Sequence, residues 1–313
     1  MSASLSASTS RTSSPASVSL EELIALRTAA DALSFRAVRV KGAQGGGHLS
    51  HFRGRGMEFD EARPYQAGDD LRTIDWRVTA RTGKPYTKLF REERDRSVFA
   101  WLDLRPPMGF ATQGRFKSVR AAQLAALVAW TAVAEGDRFG GLVFDQHDHR
   151  EYRPALGHRP VLHMLQYIAA HRSWDEGATV AAGPASGEQA LARLQRVARP
   201  GSLVFLLSDF RDLGPELKAR LTQIAAHADL VAVMFSDKLE RELPPPDRYR
   251  VSVGSGSMEI DASRDAARRA YAATFESRRD QLATLAGHVG FHFLHCSTEA
   301  EPVDLMMERF RSR

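Results

Sequence analysis

The feature that most constrains this chain is a set of short, uniformly apolar runs separated by helical stretches. Val98–Asp103 (VFAWLD), Leu203–Leu207 (LVFLL) and Leu230–Phe235 (LVAVMF) are strand-length segments with almost no polar residues. A strand with one face in water alternates apolar and polar side chains. These do not, so both faces must be covered, as in a parallel sheet with helices on each side. Between them lie helical segments. Lys117–Glu135 is apolar on nearly every side and ends at Gly136, others lie near Pro160–His171 and up to about Val197, and another opens at Pro215. Phe139–Phe144 and Arg150–Pro154, joined by a polar turn, read as two antiparallel strands. A long helix over roughly Ser263–Ala286, a strand at Phe291–Leu294 and a helix over Glu299–Arg313 complete the pattern. The expectation is an α/β fold with a doubly wound, mostly parallel sheet. Ligands of such sheets gather at the carboxyl ends of the strands, where Asp103 and Asp209 both fall.

The chain before residue 96 has a different character. Residues 1–17 are rich in Ser, Ala and Thr without an apolar centre and are expected to be a disordered leader. Ser19 and Glu22 have the spacing of a capping box, and Leu20, Leu23, Ile24 and Leu33 recur at helical spacing after them. Lys41–Gly56 is a glycine-rich loop; no Gly-Lys-Ser/Thr follows Gly45–Gly47, so a phosphate loop is not expected. Met57–Arg81 shows no sustained period, and the strand-like Tyr86–Phe90 is a candidate to pair with a hairpin at Tyr249–Ile260. The expected organisation is a leader (1–17), an N-terminal segment of helix, loops and short strands (18–95), and an α/β domain (96–313) with a hairpin insertion near 241–262.

No stretch approaches the roughly 18 unbroken apolar residues of a membrane span. Cys296 is the single cysteine among 313 residues, which excludes an intrachain disulfide. Both points favour the cytoplasm. The formal charge of +5 comes largely from the Arg36–Arg96 stretch. Its charges alternate in sign, so a solvated, self-paired face is preferred over nucleic-acid binding. Asp69, Asp70, Asp75 and Glu58 lie among Arg63, Arg72, Arg77 and Arg81, which suggests an ion-pair network with Trp76 as an interface anchor, in preference to a nuclease-like metal cluster. Asp145-Gln146-His147-Asp148-His149 has metal-ligand residue types but sits at an expected turn. Cys296 is expected to be structural, and no Ser/His/Asp or Cys/His arrangement stands out.

Two parts of the sequence together carry a family resemblance. Gly68–Trp76 (GDDLRTIDW), with Glu58–Phe59 and Arg63–Pro64–Tyr65 upstream, resembles the signature of the domain of unknown function 58 family. Gly68, Asp69, Asp70, Arg72, Asp75 and Trp76 are its central residues. The α/β domain after it is similar to von Willebrand factor A domains. The resemblance covers roughly residues 20–300. It implies a bacterial, non-enzymatic adaptor or scaffold working with a MoxR-type AAA+ ATPase in a chaperone-like system. Alternatives are a metal-dependent hydrolase using Asp103 and Asp209, or nucleic-acid binding through residues 36–96.

Domains of this type often hold Mg²⁺ through Asp-x-Ser-x-Ser at the end of the first strand, a hydroxyl from a middle loop and a later Asp. Here the motif reads Asp103-Leu104-Arg105-Pro106-Pro107. Asp209 matches the later acid, and Ser186 or Thr179 offers the middle hydroxyl. With Arg105 and Pro107 in the hydroxyl positions, no metal and no other cofactor is expected. Arg105 is instead expected to bridge Asp103 and Asp209.

Overall fold

The protein is described by a computed structural model covering residues 14–36, 38, 57–66, 74–92, 96–174, 187–253 and 256–312. It divides into two compact units: residues 43–95 form one, and the remainder of the chain forms the other.

The larger unit is built on a six-stranded sheet in the order β10-β7-β6-β3-β4-β5. These are β3 (Ser97–Asp103), β4 (Arg138–Phe144), β5 (His149–Ala155), β6 (Leu203–Ser208), β7 (Asp229–Ser236) and β10 (His292–Ser297). All neighbours are parallel except β4 and β5, which form the antiparallel edge. The uniform apolarity of the strands follows from burial on both faces. Val98, Ala100 and Leu102 of β3 point into one core, while Phe99 and Trp101 point into the other. β6 divides in the same way, with Leu203, Phe205 and Leu207 on the first face and Val204 and Leu206 on the second.

The first face is covered by α4 (Lys117–Ala134), in which every residue from Lys117 to Ala132 is buried. It is covered in turn by α1 (Leu20–Ala25), α2 (Arg27–Ala30), α5 (His158–Ala169) and α10 (Pro302–Phe310). The second face packs against α6 (Gly187–Val197), α7 (Pro215–Ala225) and α9 (Asp265–Val289). A further short helix, α8 (Lys238–Arg241), follows β7, and β8 (Arg248–Val253) and β9 (Gly256–Asp261) form the hairpin expected near 241–262.

Several expectations need correction. The first helical stretch is broken into α1 and α2, and both pack in the α/β core, so the segment expected as 18–95 is shared between the two units. Ser19 does cap α1, accepting from the Glu22 N–H at 3.1 Å, while the Glu22 carboxylate engages Arg115 and Gln123. The leader boundary at 17 also shifts: Arg115 Nη2 donates to the carbonyls of Ser14 and Ser17, which fixes residues 14–17 to the core.

The smaller unit holds β1 (Met57–Pro64), α3 (Trp76–Thr82) and β2 (Tyr86–Glu92). β2 pairs with β1, and β8 pairs with β9, so the pairing expected between Tyr86–Phe90 and Tyr249–Ile260 does not form. The lack of period in Met57–Arg81 concealed β1 because its ladder slips between Phe59 and Glu61, which breaks the alternation. The loop at 41–56 lies outside the described residues.

Two adjacent glycines in the middle of β4 answer to close backbone approach. A Cβ on Gly140 would stand 2.6 Å from the Tyr152 carbonyl oxygen, and one on Gly141 would stand 2.6 Å from that of Ala100 and 2.9 Å from Met164 Sδ. Gly141→Ala is expected to destabilise the protein by about 1–3 kcal/mol in chemical denaturation. Met164 is itself buried, so the reading is a double-mutant cycle: in a Met164→Ala background the Gly141→Ala penalty should shrink only in part, because the Ala100 carbonyl stays in place; its complete disappearance would show that the side chain alone sets the constraint.

Candidate functional site

The carboxyl edge of the sheet gathers an unusual number of charged groups in a buried setting. It begins with Asp103, fully buried at the end of β3. Its Oδ1 accepts from the Arg105 backbone N–H at 3.0 Å and from Arg105 Nε at 2.9 Å. Its Oδ2 accepts from Arg105 Nη2 and from Ser208 Oγ, both at 2.7 Å. Each carboxylate oxygen thus has two donors, close to the acceptor capacity of the group. Arg105 meets Asp103 side-on, as its fork geometry favours. Its Nη1 then reaches Asp212 Oδ2 at 2.7 Å, and its guanidinium lies 5.6 Å from the centre of the Phe144 ring. Burial works against the guanidinium charge, but Asp103 and Asp212 outweigh it and raise its pKa.

Arg105 was expected to bridge Asp103 and Asp209. It bridges Asp103 and Asp212 instead, because a different cation holds Asp209. Lys117, the first residue of α4, is completely inaccessible to solvent; its Nζ lies 3.0 Å from Asp209 Oδ2 and 2.7 Å from Glu240 Oε1. Arg211 adds a second cation, with Nε 3.4 Å from Asp209 Oδ2 and Nη2 2.6 Å from Glu240 Oε1. Burial alone would push the Asp209 carboxyl up, but Lys117 and Arg211 prevail and hold it below the usual carboxylate range. The chain leaves β6 through Phe210 at a φ of 48°, a left-handed conformation uncommon for a bulky residue, with its N–H bonded to Ser208 Oγ at 3.1 Å.

A third strand-end carboxylate, Asp237, follows β7. It accepts from Thr112 N at 2.9 Å, Thr112 Oγ1 at 2.6 Å and Thr298 Oγ1 at 2.8 Å, and it forms a capping box with Glu240 at the start of α8. Burial opposes its ionisation, and the Thr112 bonds override it to lower the pKa. The loop after β3 is thereby tied to the end of β7.

Lys117, Glu240, Asp212 and Asp237 escaped sequence reasoning, although signals existed. The Ser-Asp pair closing β6 recurs as Ser236-Asp237 at the end of β7, and Lys117 is a charge at the head of an otherwise apolar helix. Ser186 and Thr179 lie outside the described residues, as do Gly68, Asp69, Asp70 and Arg72. Gly187 is close to the guanidinium: a Cβ there would stand 3.4 Å from Arg105 Nη2.

In the smaller unit, Glu58 and Phe59 lie on β1 opposite Arg91 and Phe90, and Arg63 lies opposite Thr87. The Tyr65 N–H donates to the Pro85 carbonyl at 2.9 Å. Asp75 is the N-cap of α3, accepting from the backbone N–H groups of Arg77 and Val78 at 3.0 and 3.1 Å. Trp76, the first residue of α3, is 70% exposed.

The remaining candidates resolve into structural roles. Asp145 holds its turn by accepting from the N–H groups of His147 and Asp148, and it receives Arg172 Nε at 2.7 Å. Burial opposes its charge, but Arg172 and the turn amides bring its pKa down to about 2. Among the described residues no group of three His, Cys, Asp or Glu side chains converges as a metal site. Burial pushes the Cys296 thiol up to about 12, far from a reactive thiolate. Ser236 Oγ lies 2.7 Å from His295 Nε2, but Ser236 is fully buried, so the pair joins β7 to β10 and offers no nucleophile to a substrate.

Lys117→Met removes a buried cation and leaves Asp209 and Glu240 with less compensation, which is expected to cost about 3–5 kcal/mol in denaturant unfolding. Because the folded-state pKa of Asp209 is depressed, its ionic stabilisation is complete above the ordinary carboxylate range and is lost as pH falls from that range through the lower folded-state pKa. Melting temperature followed from pH 7 to pH 3 should therefore decline less steeply in Lys117→Met than in the unmodified protein. Parallel curves would remove Lys117 as the source of the shift.

A family model described as a protein of unknown function, DUF58, matches residues 61–281. Uncharacterized proteins of Mycobacterium tuberculosis and Mycobacterium bovis are each 31% identical over 211 residues, covering 66% of this chain and 63% of their own length. The chain therefore spans less than two thirds of these relatives. Among solved structures, an aerotolerance-related membrane protein from Bacteroides fragilis aligns over 68% of this chain and 96% of its own, with a TM-score of 0.39 and 10% identity. The conserved hypothetical protein BatB from Bacteroides thetaiotaomicron aligns over 68% and 99%, with a TM-score of 0.37 and 11% identity.

Proposed function

The chain belongs to the DUF58 family, and on that premise we propose that it is a non-enzymatic adaptor that binds partner proteins without a metal ion. The observation that carries this reading is the pairing of Lys117 with Asp209 and Glu240, beside that of Arg105 with Asp103 and Asp212. We take the larger unit as a von Willebrand factor A-type domain whose adhesion site has been rebuilt around protein cations. Strand ends bearing Asp103 and Asp209 agree with that assignment.

The residues present do not fit Mg²⁺. A hard dication needs carboxylate and hydroxyl oxygens with free lone pairs. Both oxygens of Asp103 already hold two donors, Arg105 and Pro107 occupy the hydroxyl positions, and an ammonium group stands against Asp209. A guanidinium and an ammonium fixed at these positions also repel a dication. The partner proposed from the family resemblance is a MoxR-type AAA+ ATPase, with the DUF58 chain presenting clients or complex components to it. Among the described residues no helix is long and apolar enough to cross a membrane.

Two measurements test the reading. Titration with Mg²⁺ or Mn²⁺ in a calorimeter is expected to give no stoichiometric binding; one equivalent bound at micromolar affinity would revive a metal-dependent hydrolase. Co-expression with a MoxR-type ATPase from the same genome should give a complex that survives affinity and size-exclusion steps. Failure with every such ATPase in the genome overturns the partner assignment.

A further inference from the structure

The charges at the carboxyl edge of the sheet are paired. Those on α3 are not. Arg77 and Arg81 lie one helical turn apart, and Lys84 follows just beyond the left-handed cap at Gly83. All three are exposed, and their side chains make no hydrogen bond or ion pair with any described residue. The acid nearest in sequence, Asp75, is buried and engaged as the helix cap. Trp76 stands beside Arg77 at 70% exposure, whereas Trp101, Trp130 and Trp174 are all buried. A large indole left in water costs hydrophobic free energy that burial would recover.

This face is also held firmly in place. Asp75 N–H donates to the Tyr86 carbonyl, Tyr86 N–H donates to Thr79 Oγ1 at 3.0 Å, and Tyr65 N–H donates to the Pro85 carbonyl. The N-cap and the middle of the helix are thus both tied to Tyr86 at the start of β2. An aromatic anchor flanked by arginines on a rigid support has the composition of a protein-interface hot spot.

We propose that the Trp76–Arg77–Arg81–Lys84 face docks an acidic peptide segment of a partner protein. Carboxylates of the segment pair with the two guanidiniums and the ammonium group, and an apolar side chain covers the Trp76 ring. The charge of the unit argues for a peptide over nucleic acid: residues 43–95 contain ten Lys and Arg against nine Asp and Glu. Nucleic-acid affinity grows with the net positive charge set against many phosphates, which a unit so nearly balanced in composition does not supply, whereas a short peptide answers one local stripe. The inference rests on the partner-binding reading above, but not on the identity of the ATPase.

The test uses the full chain and a fluorescein-labelled peptide alternating glutamate with leucine. A lysine–leucine counterpart and labelled oligothymidylate serve as the other arms, all followed by fluorescence anisotropy. The glutamate peptide should bind and shift Trp emission to the blue, since Trp76 is the exposed indole. Trp76→Ala and the double variant Arg77→Glu/Arg81→Glu should each weaken that binding by about tenfold or more. Because these side chains are exposed and unpaired, both variants should keep the melting temperature of the parent. The double charge reversal should in addition gain affinity for the lysine peptide, which a merely unfolded surface would not do. Unchanged affinity for the glutamate peptide in both variants, or tighter binding of oligothymidylate than of that peptide, overturns the proposal. Loss of the ATPase complex with peptide binding intact would count against the ATPase alone.

Discussion

Burying Asp103 and Asp209 on neighbouring strands is the constraint around which this edge of the molecule is organised. Two carboxylates in a dry setting, each at the end of an apolar strand, would repel one another and resist ionisation. Their compensation comes from three cations of different origin: Arg105 from the loop directly after β3, Lys117 from the head of α4, and Arg211 from the turn after β6. Each cation also contacts a second acid, so the charges form two alternating networks: Arg105 between Asp103 and Asp212, and Lys117 and Arg211 between Asp209 and Glu240, with Ser208 Oγ of β6 donating to Asp103 beside them. Glu240 in turn is bonded to the backbone of Asp237 at the end of β7. The geometry of the edge is therefore set by mutual neutralisation, and the loops that cross it are short of freedom to rearrange.

The architecture was legible because its signal is cumulative. Three uniformly apolar runs demand cover on both faces, and helices of suitable length lie between them. The ends of α4 and the hairpin at β8 and β9 follow from local rules about glycine, proline and alternation. What was not legible depends on distance in space. Nothing in the spacing from Lys117 to Asp209 says that they touch, because α4 crosses the face of the sheet before β6 is made. Arg105 was correctly paired with Asp103, two residues away, and wrongly with Asp209, since the competing donor came from a separate element. The smaller unit resisted for another reason: a bulge in β1 disrupts the only pattern that could have announced a strand.

Trp76 illustrates how residue type can mislead. A tryptophan in a charged segment suggests an anchor, and the burial of Trp101, Trp130 and Trp174 agrees with that habit. Its position as the first residue of α3 points it elsewhere, because the Asp75 cap fixes where the helix begins and hence which side chains face outward. The Asp75 cap and the bonds of Asp75 and Thr79 to Tyr86 together hold α3 in the orientation that leaves this indole exposed.

The near-uniform apolarity of α4 has a mechanical side. A helix buried all round, with alanines over much of its length, offers few features that fix its position along its own axis. Polar contacts supply that register, from Arg120, Gln123 and Trp130 within the helix and from both of its ends. Lys117 is moored to Asp209 and Glu240 at one end, and at the other Glu135 accepts from Ser34 Oγ and from the Phe35 N–H. The helix thus behaves as a rod of about 27 Å clamped at both ends, joining the carboxyl edge of the sheet to the segment that follows α2. Any load that drew Lys117 out of its ionic seat would pass along that rod to Ser34 and Phe35 at the opposite side of the sheet.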